Sequence, residues 1–415
     1  MGKKLNKRVP KLRFPEFYGD WLTDRIDHFL VRYVNPVDVQ LETKYKQIGI
    51  RSHGKGIFHK DPVTGKELGN KRVYWVHPQA FVVNIVFAWE QAVALTSNYE
   101  EGYVASHRFL MFLPKDNKVD LKFALLFFLR KRGKGLLELA SPGGAGRNKT
   151  LGQDNFAELK ITLPQREEQE KIASFLGAVD ARLTQLRRKR DRLQTYKRGV
   201  MQKIFSQEMR FRDAIGLDFP DWQEKKLGEI ATDGFSNGVF NDPNKVGEGY
   251  RLVNVKDMYE GDSINVNLLS RLSLDEKEFR KNQAKYGDIF FTRSSLVKEG
   301  IAHSNVLLTN DRDITYDGHL IRLRFDLTKY IPQFIALVLK SSTTRKQLVA
   351  RGKTGTMTTI GQEDISTVKI EVPSKEEQEK IANFLTAIDQ KIEAISRQLD
   401  RTEQFKKGLL QKMFV

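Results

Sequence analysis

The chain of 415 residues contains no cysteine. That excludes a disulfide framework, a thiolate metal site and a cysteine nucleophile together. It also lacks long hydrophobic runs. No apolar stretch approaches the roughly 20 residues that span a bilayer. The N-terminus, MGKKLNKRVPKLRF, is basic with no apolar segment behind it, so it does not read as a signal peptide. A cytoplasmic location is expected. Acidic residues fall short of basic ones: 52 Asp and Glu against 70 Lys and Arg leave a formal charge of +18. A surplus of that size points to a polyanionic partner, nucleic acid first. Proline is sparse, and two of the few, Pro164 and Pro373, head the same phrase written twice.

From Pro164 the chain reads PQREEQEKIASFLGAVDARLTQLRRKRDRLQTYKRGVMQKIF, and from Pro373 PSKEEQEKIANFLTAIDQKIEAISRQLDRTEQFKKGLLQKMF. The copies align without a gap at an offset of 209 (373 minus 164). A period that long excludes a solenoid, whose units run to about 20–50 residues, and divides the chain into two domain-sized halves. Seam residues recur at alternating spacings of four and three. In the first copy they are Ile172, Leu176, Val179, Leu183, Leu186, Arg190, Leu193, Lys197, Val200 and Ile204; in the second, Ile381, Leu385, Ile388, Ile392, Ile395, Leu399, Thr402, Lys406, Leu409 and Met413. This is a coiled-coil pattern, and about 40 residues at 1.5 Å each make a rod of roughly 60 Å. Two matching seams in one chain are expected to pair with each other. The acids Glu167, Glu168, Glu376 and Glu377 suit the positive end of the helix dipole. Gly199 and Gly408 mark places where each helix frays or bends.

Each helix follows a half that opens alike: LRFPEFYGDW ends at Trp21 and MRFRDAIGLDFPDW at Trp222. Strands are expected over 45–50, 73–76, 80–89 and 107–113 in the first half, and over 250–255, 288–302 and 319–325 in the second. The Gly- and Lys-rich stretch between Arg51 and Arg72 reads as a loop. Residues 121–132 and 331–342 read as one helix each. The halves converge again at ASPGGAGRNKTLGQDNF and VARGKTGTMTTIGQEDI, where Gly143 matches Gly352 and Thr150 matches Thr359 at the same offset. KITLP or KIEVP, a strand, then leads into the long helix. Duplicated ends around divergent middles suggest one scaffold presenting two reading surfaces. The expected fold is a tandem duplication of α/β (α+β) domains separated by two long helices that pair as an antiparallel coiled coil with pseudo-twofold symmetry. The expected divisions are 1–163, 164–208, 209–372 and 373–415.

No catalytic constellation stands out. Asn35-Pro36-Val37-Asp38 shares its first two residues with the Asn-Pro-Pro-aromatic motif of amino-methyltransferases but lacks the second proline and the ring that stacks on the target base. Gly352-Lys353-Thr354 lacks the earlier glycine of a P-loop, since Gln347 occupies that position. His53, His59, His77, His107, His303 and His319 have no metal-ligand spacing. Neither a catalytic nor a metal residue is expected.

The double unit, with RFPEFYGDW before one variable region and DFPDWQEKKLGEI before the other, resembles the specificity subunit of type I restriction-modification systems. So do the helix openings, proline and Glu-Gln followed by IASFLGAVD or IANFLTAID. The resemblance covers nearly the whole chain. One departure is His77-Pro78-Gln79-Ala80, standing where the second half has the more familiar Tyr286-Gly287-Asp288-Ile289. The resemblance implies that each domain reads one half of a bipartite double-stranded DNA target across a gap set by the helices, with the N-terminal segment packed near the C-terminal helix. It implies two modification subunits carrying S-adenosylmethionine and adenine-N6 methylation. It also implies restriction (motor-nuclease) subunits using ATP and Mg, phage defence as the outcome, and no cofactor or catalysis in this chain.

Phosphates are held by Lys, Arg and amides, and bases are read by Arg, Asn, Gln, Ser or Thr. On that chemistry the DNA-binding candidates are Arg51, Lys55, Arg147, Asn148, Lys149 and Thr150 in the first half. In the second they are Arg293, Ser294, Lys298, Lys353, Thr354, Thr356 and Thr358. The alternative reading is a two-domain protein that binds nucleic acid without sequence preference and dimerises through its coiled coil. A lone nuclease would require metal-dependent cleavage by the chain itself, and a protein-only scaffold would leave the charge unexplained.

Overall fold

The computed structural model describes residues 9–143 and 149–415. Two α/β lobes are linked by long helices that pack together. The chain forms two compact units, one running to Leu186 and taking in Gln398–Val415, the other Arg187–Arg397. Both long helices form, Arg166–Phe205 and Lys375–Lys412. Every seam position is buried or half-buried. The helices continue unbroken through Gly199 and Gly408, where an added Cβ would meet nothing within 4 Å. The expected fraying there is therefore absent. A glycine costs a helix about 1 kcal/mol, and burial of Val200 and Ile204, or of Leu409 and Met413, outweighs it.

Charged pairs cross between the helices inside each unit. Lys406 Nζ meets Asp180 Oδ1 at 2.6 Å in the first, and Lys197 pairs with Asp389 in the second. Going from Asp180 up to Lys197 on one helix matches going from Lys406 down to Asp389 on the other, so the helices run antiparallel. The two pairs join equivalent positions of the repeat. A lysine in an apolar seam is costly unless paired, so it penalises any register that removes its carboxylate.

In the first lobe an antiparallel sheet runs in the order Leu30–Tyr33, Phe109–Pro114, Phe81–Asn84, Val93–Leu95. A second sheet runs Ile57–Thr64, Lys44–Ile50, Tyr103–Ser106, Val73–Trp75, with its middle pair parallel. The other lobe repeats the plan. Its antiparallel sheet is Ala231–Asn237, Leu320–Phe325, Ile289–Thr292, Ser304–Val306. Its companion is Ser270–Leu272, Val246–Val253, Ile314–Tyr316, again with one parallel pair. The divergent middles thus share the order of the antiparallel sheet and the parallel pair of its companion, which has four strands in the first lobe and three in the second.

Several local expectations are corrected. Residues 51–72 are not all loop: Ile57–Thr64 is an edge strand, and Thr64 and Glu67 form a capping box on the short helix Gly65–Leu68. The strand tolerates Pro62 because it lies at the sheet edge beside a register shift. The run 121–132 is two helices, Leu121–Phe128 and Lys131–Leu139. Their contact is tight enough that a Cβ on Gly133 would lie 2.2 Å from the Phe127 carbonyl oxygen. The strand expected over 80–89 stops at Asn84, and that over 288–302 stops as a core strand at Thr292.

The Glu-Gln of each helix opening does more than face a dipole. Glu168 and Glu377 are fully buried. Arg13 grips Glu168 through Nε and Nη2 at 2.8 and 2.7 Å, and Arg210 grips Glu377 at 3.3 and 2.8 Å. Gln169 accepts the Asp120 amide and donates to the carbonyls of Lys118 and Pro164. Gln378 does the same with Ile331, Lys329 and Pro373. These residues fasten each long helix to its lobe. The N-terminal segment meets the C-terminal helix where the Leu12 amide donates to the Lys412 carbonyl at 2.9 Å.

Candidate nucleic-acid interface

In the second lobe three very short strands, Ser294–Ser295, Thr358–Thr359 and Lys353–Thr354, form a small antiparallel sheet. It brings together every candidate of that half. Arg293 is pinned at its backbone: its amide donates to the His319 carbonyl at 3.2 Å, and the Ile360 amide donates to its own carbonyl at 3.0 Å. Thr358 is buried at the centre. Gly352 permits this, since a Cβ there would lie 2.8 Å from Thr358 Cγ2. Arg293, Lys298, Lys353, Thr354 and Thr356 are exposed, and Ser294 is half-buried. Among the described residues neither Arg293 nor Lys298 has a carboxylate partner, whereas Lys353 meets Asp364 at 3.0 Å.

Two supports were not legible in the sequence. Arg345 donates to the carbonyls of Glu299, Ile301 and Ala302 at 2.7–2.9 Å and so fixes the loop that carries Lys298. Burial draws its guanidinium below the ordinary arginine range, because carbonyls rather than a carboxylate surround it. No sequence signal marks it. His319 is the second: its imidazole is exposed, is held by Asp317 at 2.8 Å, and lies beside Arg293 through the backbone bond above.

His303 lies under the same loop. It stacks on Tyr259 with ring centres 4.6 Å apart and bonds the Met258 carbonyl at 3.0 Å. Burial holds its imidazole below the ordinary value of 6.5, against the opposing hydrogen bond to Met258 and with the help of Lys340 and Arg345. The unfolded chain therefore takes up this proton first. The stabilisation from neutral His303 is complete above the unfolded value and is lost as pH falls through the lower, folded one. Replacing His303 with Asn is expected to flatten the pH dependence of second-lobe stability below about pH 6.5. Hydrogen exchange of residues 289–306 across that range checks this; a variant as pH-sensitive as the parent contradicts it.

In the first lobe the candidates converge on the turn over 85–91. The loop 51–56 docks there: the His53 and Gly54 amides donate to the carbonyls of Glu90 and Gln91 at 2.7 and 3.0 Å, and the Ser52 hydroxyl donates to Glu90 at 2.8 Å. Gly54 is required, having φ of +64° and no room for a Cβ, which would lie 2.3 Å from Leu129. Arg51 covers the Phe58 ring, while Lys55 is exposed. From the other side the Lys149 ammonium lies 5.5 Å over the Trp89 ring, and the Leu151 amide donates to the Ile85 carbonyl at 2.9 Å. Thr150 is exposed. Arg147 and Asn148 lie outside the described residues. Each lobe thus gathers basic and hydroxyl side chains on a cluster of loops braced by its sheets, with different residues in each cluster.

A profile of the family described as type I restriction modification DNA specificity domain matches residues 77–194 and 220–404, well over half of the chain. The chain is 25% identical over 421 residues to the type I restriction enzyme MjaVIII specificity subunit of Methanocaldococcus jannaschii, spanning 97% of this chain and 93% of that protein. It is also 25% identical over 334 residues to the putative MjaX specificity subunit of the same organism, spanning 77% of this chain and 73% of the relative. Among solved structures, the type I restriction-modification S subunit from M. genitalium has a similar fold, with a TM-score of 0.57 at 17% identity over 98% of this chain and 99% of that one. The HsdS subunit of Thermoanaerobacter tengcongensis gives 0.50 at 18% identity over 95% and 96%.

Proposed function

Since this chain belongs to the type I restriction-modification DNA specificity family, we propose that its two lobes read the two halves of a bipartite duplex target. It is a DNA-recognition specificity subunit, non-catalytic itself, that directs methylation and restriction by partner subunits. No helix among the described residues is long and apolar enough to cross a membrane. One observation carries the bipartite reading: two lobes repeat one antiparallel sheet order on the same long helix yet expose different side chains at their loop clusters. Recognition domains are assigned to 1–163 and 209–372, and spacer helices to 164–208 and 373–415. The antiparallel helices set the distance between half-sites. Two modification subunits dock on them and supply S-adenosylmethionine and adenine-N6 transfer, and restriction subunits supply ATP- and Mg-dependent cleavage.

The test is a map of methylated adenines in cells with and without this chain, with its modification partner expressed. Loss of one split motif on deletion is expected. An unchanged pattern, with the partner active, would move a binder without sequence preference into first place. Within the motif, Arg293→Ala is expected to cost about 1–3 kcal/mol and relax one base position. Lys353→Ala is expected to weaken all sequences alike and to lower the salt slope by about one. Titrations against single-base target variants at two salt concentrations separate the two effects. On the same reasoning Arg51, Lys55, Arg147, Asn148, Lys149 and Thr150 serve the first lobe. The buried Thr358 serves as the support of the hairpin.

A further inference from the structure

The small sheet of the second lobe ends on apolar side chains that the fold does not use. Its ladder closes with Ser295 opposite Thr358. The next residues outward, Leu296 and Met357, therefore leave it side by side, and they are 85% and 41% exposed. Val297, beside Leu296, is 60% exposed. Large aliphatic groups this open to water gain free energy when a partner covers them, and here they sit on a braced element. The Val297 amide donates to the Ser295 hydroxyl at 3.3 Å. The Gly355 amide donates to the Met357 carbonyl at 3.1 Å, and Arg345 clamps the carbonyls that follow. Two cations, Arg293 and Lys298, flank Leu296 in sequence, both exposed and without carboxylate partners among the described residues, beside one exposed acid, Glu299.

We infer that Leu296, with Met357, reads the 5-methyl group of a thymine in the major groove. The inference rests on the DNA-recognition reading above and deepens it. A pair of strands, such as Ser294–Ser295 with Thr358–Thr359 within the small sheet, is one of the elements that fits the major groove, and the thymine methyl is the apolar group displayed there. Arg293 would read a base edge next to it and Lys298 would hold a phosphate. An apolar tip between cations fits DNA better than a protein partner, because the cations match the phosphates that border every groove.

The test uses the complex of this chain with its modification partners and a duplex carrying the motif from the methylation map. Each thymine is replaced in turn by deoxyuridine, which removes only the methyl. Binding is expected to fall about fourfold, the worth of one buried methyl-sized group, at one or two positions confined to one half-site. With Leu296→Ser the same replacements are expected to have no effect, and the affinity for the thymine duplex is expected to fall to that of the parent on deoxyuridine. Thermal unfolding should not change, since the side chain is exposed. Three results would overturn the inference: a half-site pair in which no position responds to deoxyuridine, a Leu296→Ser complex that still prefers thymine, or a variant that fails to assemble with its partners. The last would assign the patch to a protein. In each case a split methylation motif still present would leave the DNA-recognition reading standing, whereas its absence would remove both.

Discussion

Glu377→Ala is expected to destabilise the second lobe by about 3–5 kcal/mol, the cost of breaking a buried ion pair from one side. Glu377 has no exposed surface and anchors three donors. Arg210 donates from Nε and Nη2, and the Trp222 indole N–H donates at 3.1 Å. Removing the carboxylate leaves the guanidinium with the Phe219 and Pro220 carbonyls and the exposed Asp221 carboxylate at 3.7 Å, and leaves a buried indole N–H unpaired. Glu168→Ala in the first lobe makes the comparison. Arg13 is held there in the same way, but the Trp21 indole N–H has no partner among the described residues, so nothing is lost at that ring. The second-lobe variant should exceed the first by the roughly 1–3 kcal/mol of one stranded buried donor. Hydrogen exchange over 210–222 and 375–385, against 12–21 and 166–176, resolves the lobes separately. Equal losses would refute the contribution of the Trp222 bond, and a loss below about 1 kcal/mol at Glu377 would refute the anchoring role.

Phe414→Ala is expected to cost the first lobe about 3–5 kcal/mol, although the residue is next to last in the chain. Its ring stacks on Phe123 with centres 4.9 Å apart and meets Trp21 edge-on at 6.5 Å. It also lies 4.4 Å under the Arg130 guanidinium. Burial, with some help from Arg132, pulls Arg130 down to about 10, so this ring is a main support for a poorly solvated cation. Phe205 occupies the matching place in the second lobe, against Trp222 and Phe334. The residues just past the C-terminal helix therefore complete the first lobe as the last turn of the central helix completes the second. Truncation after Lys412, which also removes the buried Met413, should lose more than Phe414→Ala, and Phe414→Leu should lose less. Exchange over 121–139 measures the effect. Unchanged protection there would show that the chain end is dispensable to the core.

Much of this was legible in the residues. The duplication, both long helices and their seam follow from an ungapped repeat with four-three spacing, because a side chain's place on a helix depends only on its position along it. The strand preceding each long helix was legible for the same local reason. So was the basic, hydroxyl-rich character of the loops. Other features depend on what a segment packs against. Residues 57–64 look like a loop by composition and become a strand because Lys44–Ile50 offers a ladder. The run 121–132 breaks in two because Gly133 lets one helix close on the other. Glu168 and Glu377 look like dipole acids until Arg13 and Arg210, distant in sequence, reach them. The second lobe's candidates lie in two separate stretches of sequence, Arg293–Lys298 and Lys353–Thr358, and a four-residue ladder, Ser294 to Thr359 and Ser295 to Thr358, makes them one surface. The sequence by itself determined the twofold plan, since repetition and periodicity need no partner to be read. Only the tertiary structure decided that the two divergent middles share one antiparallel sheet order and which side chains are left facing outward, because strand pairing and burial are set by contacts between residues far apart in the chain.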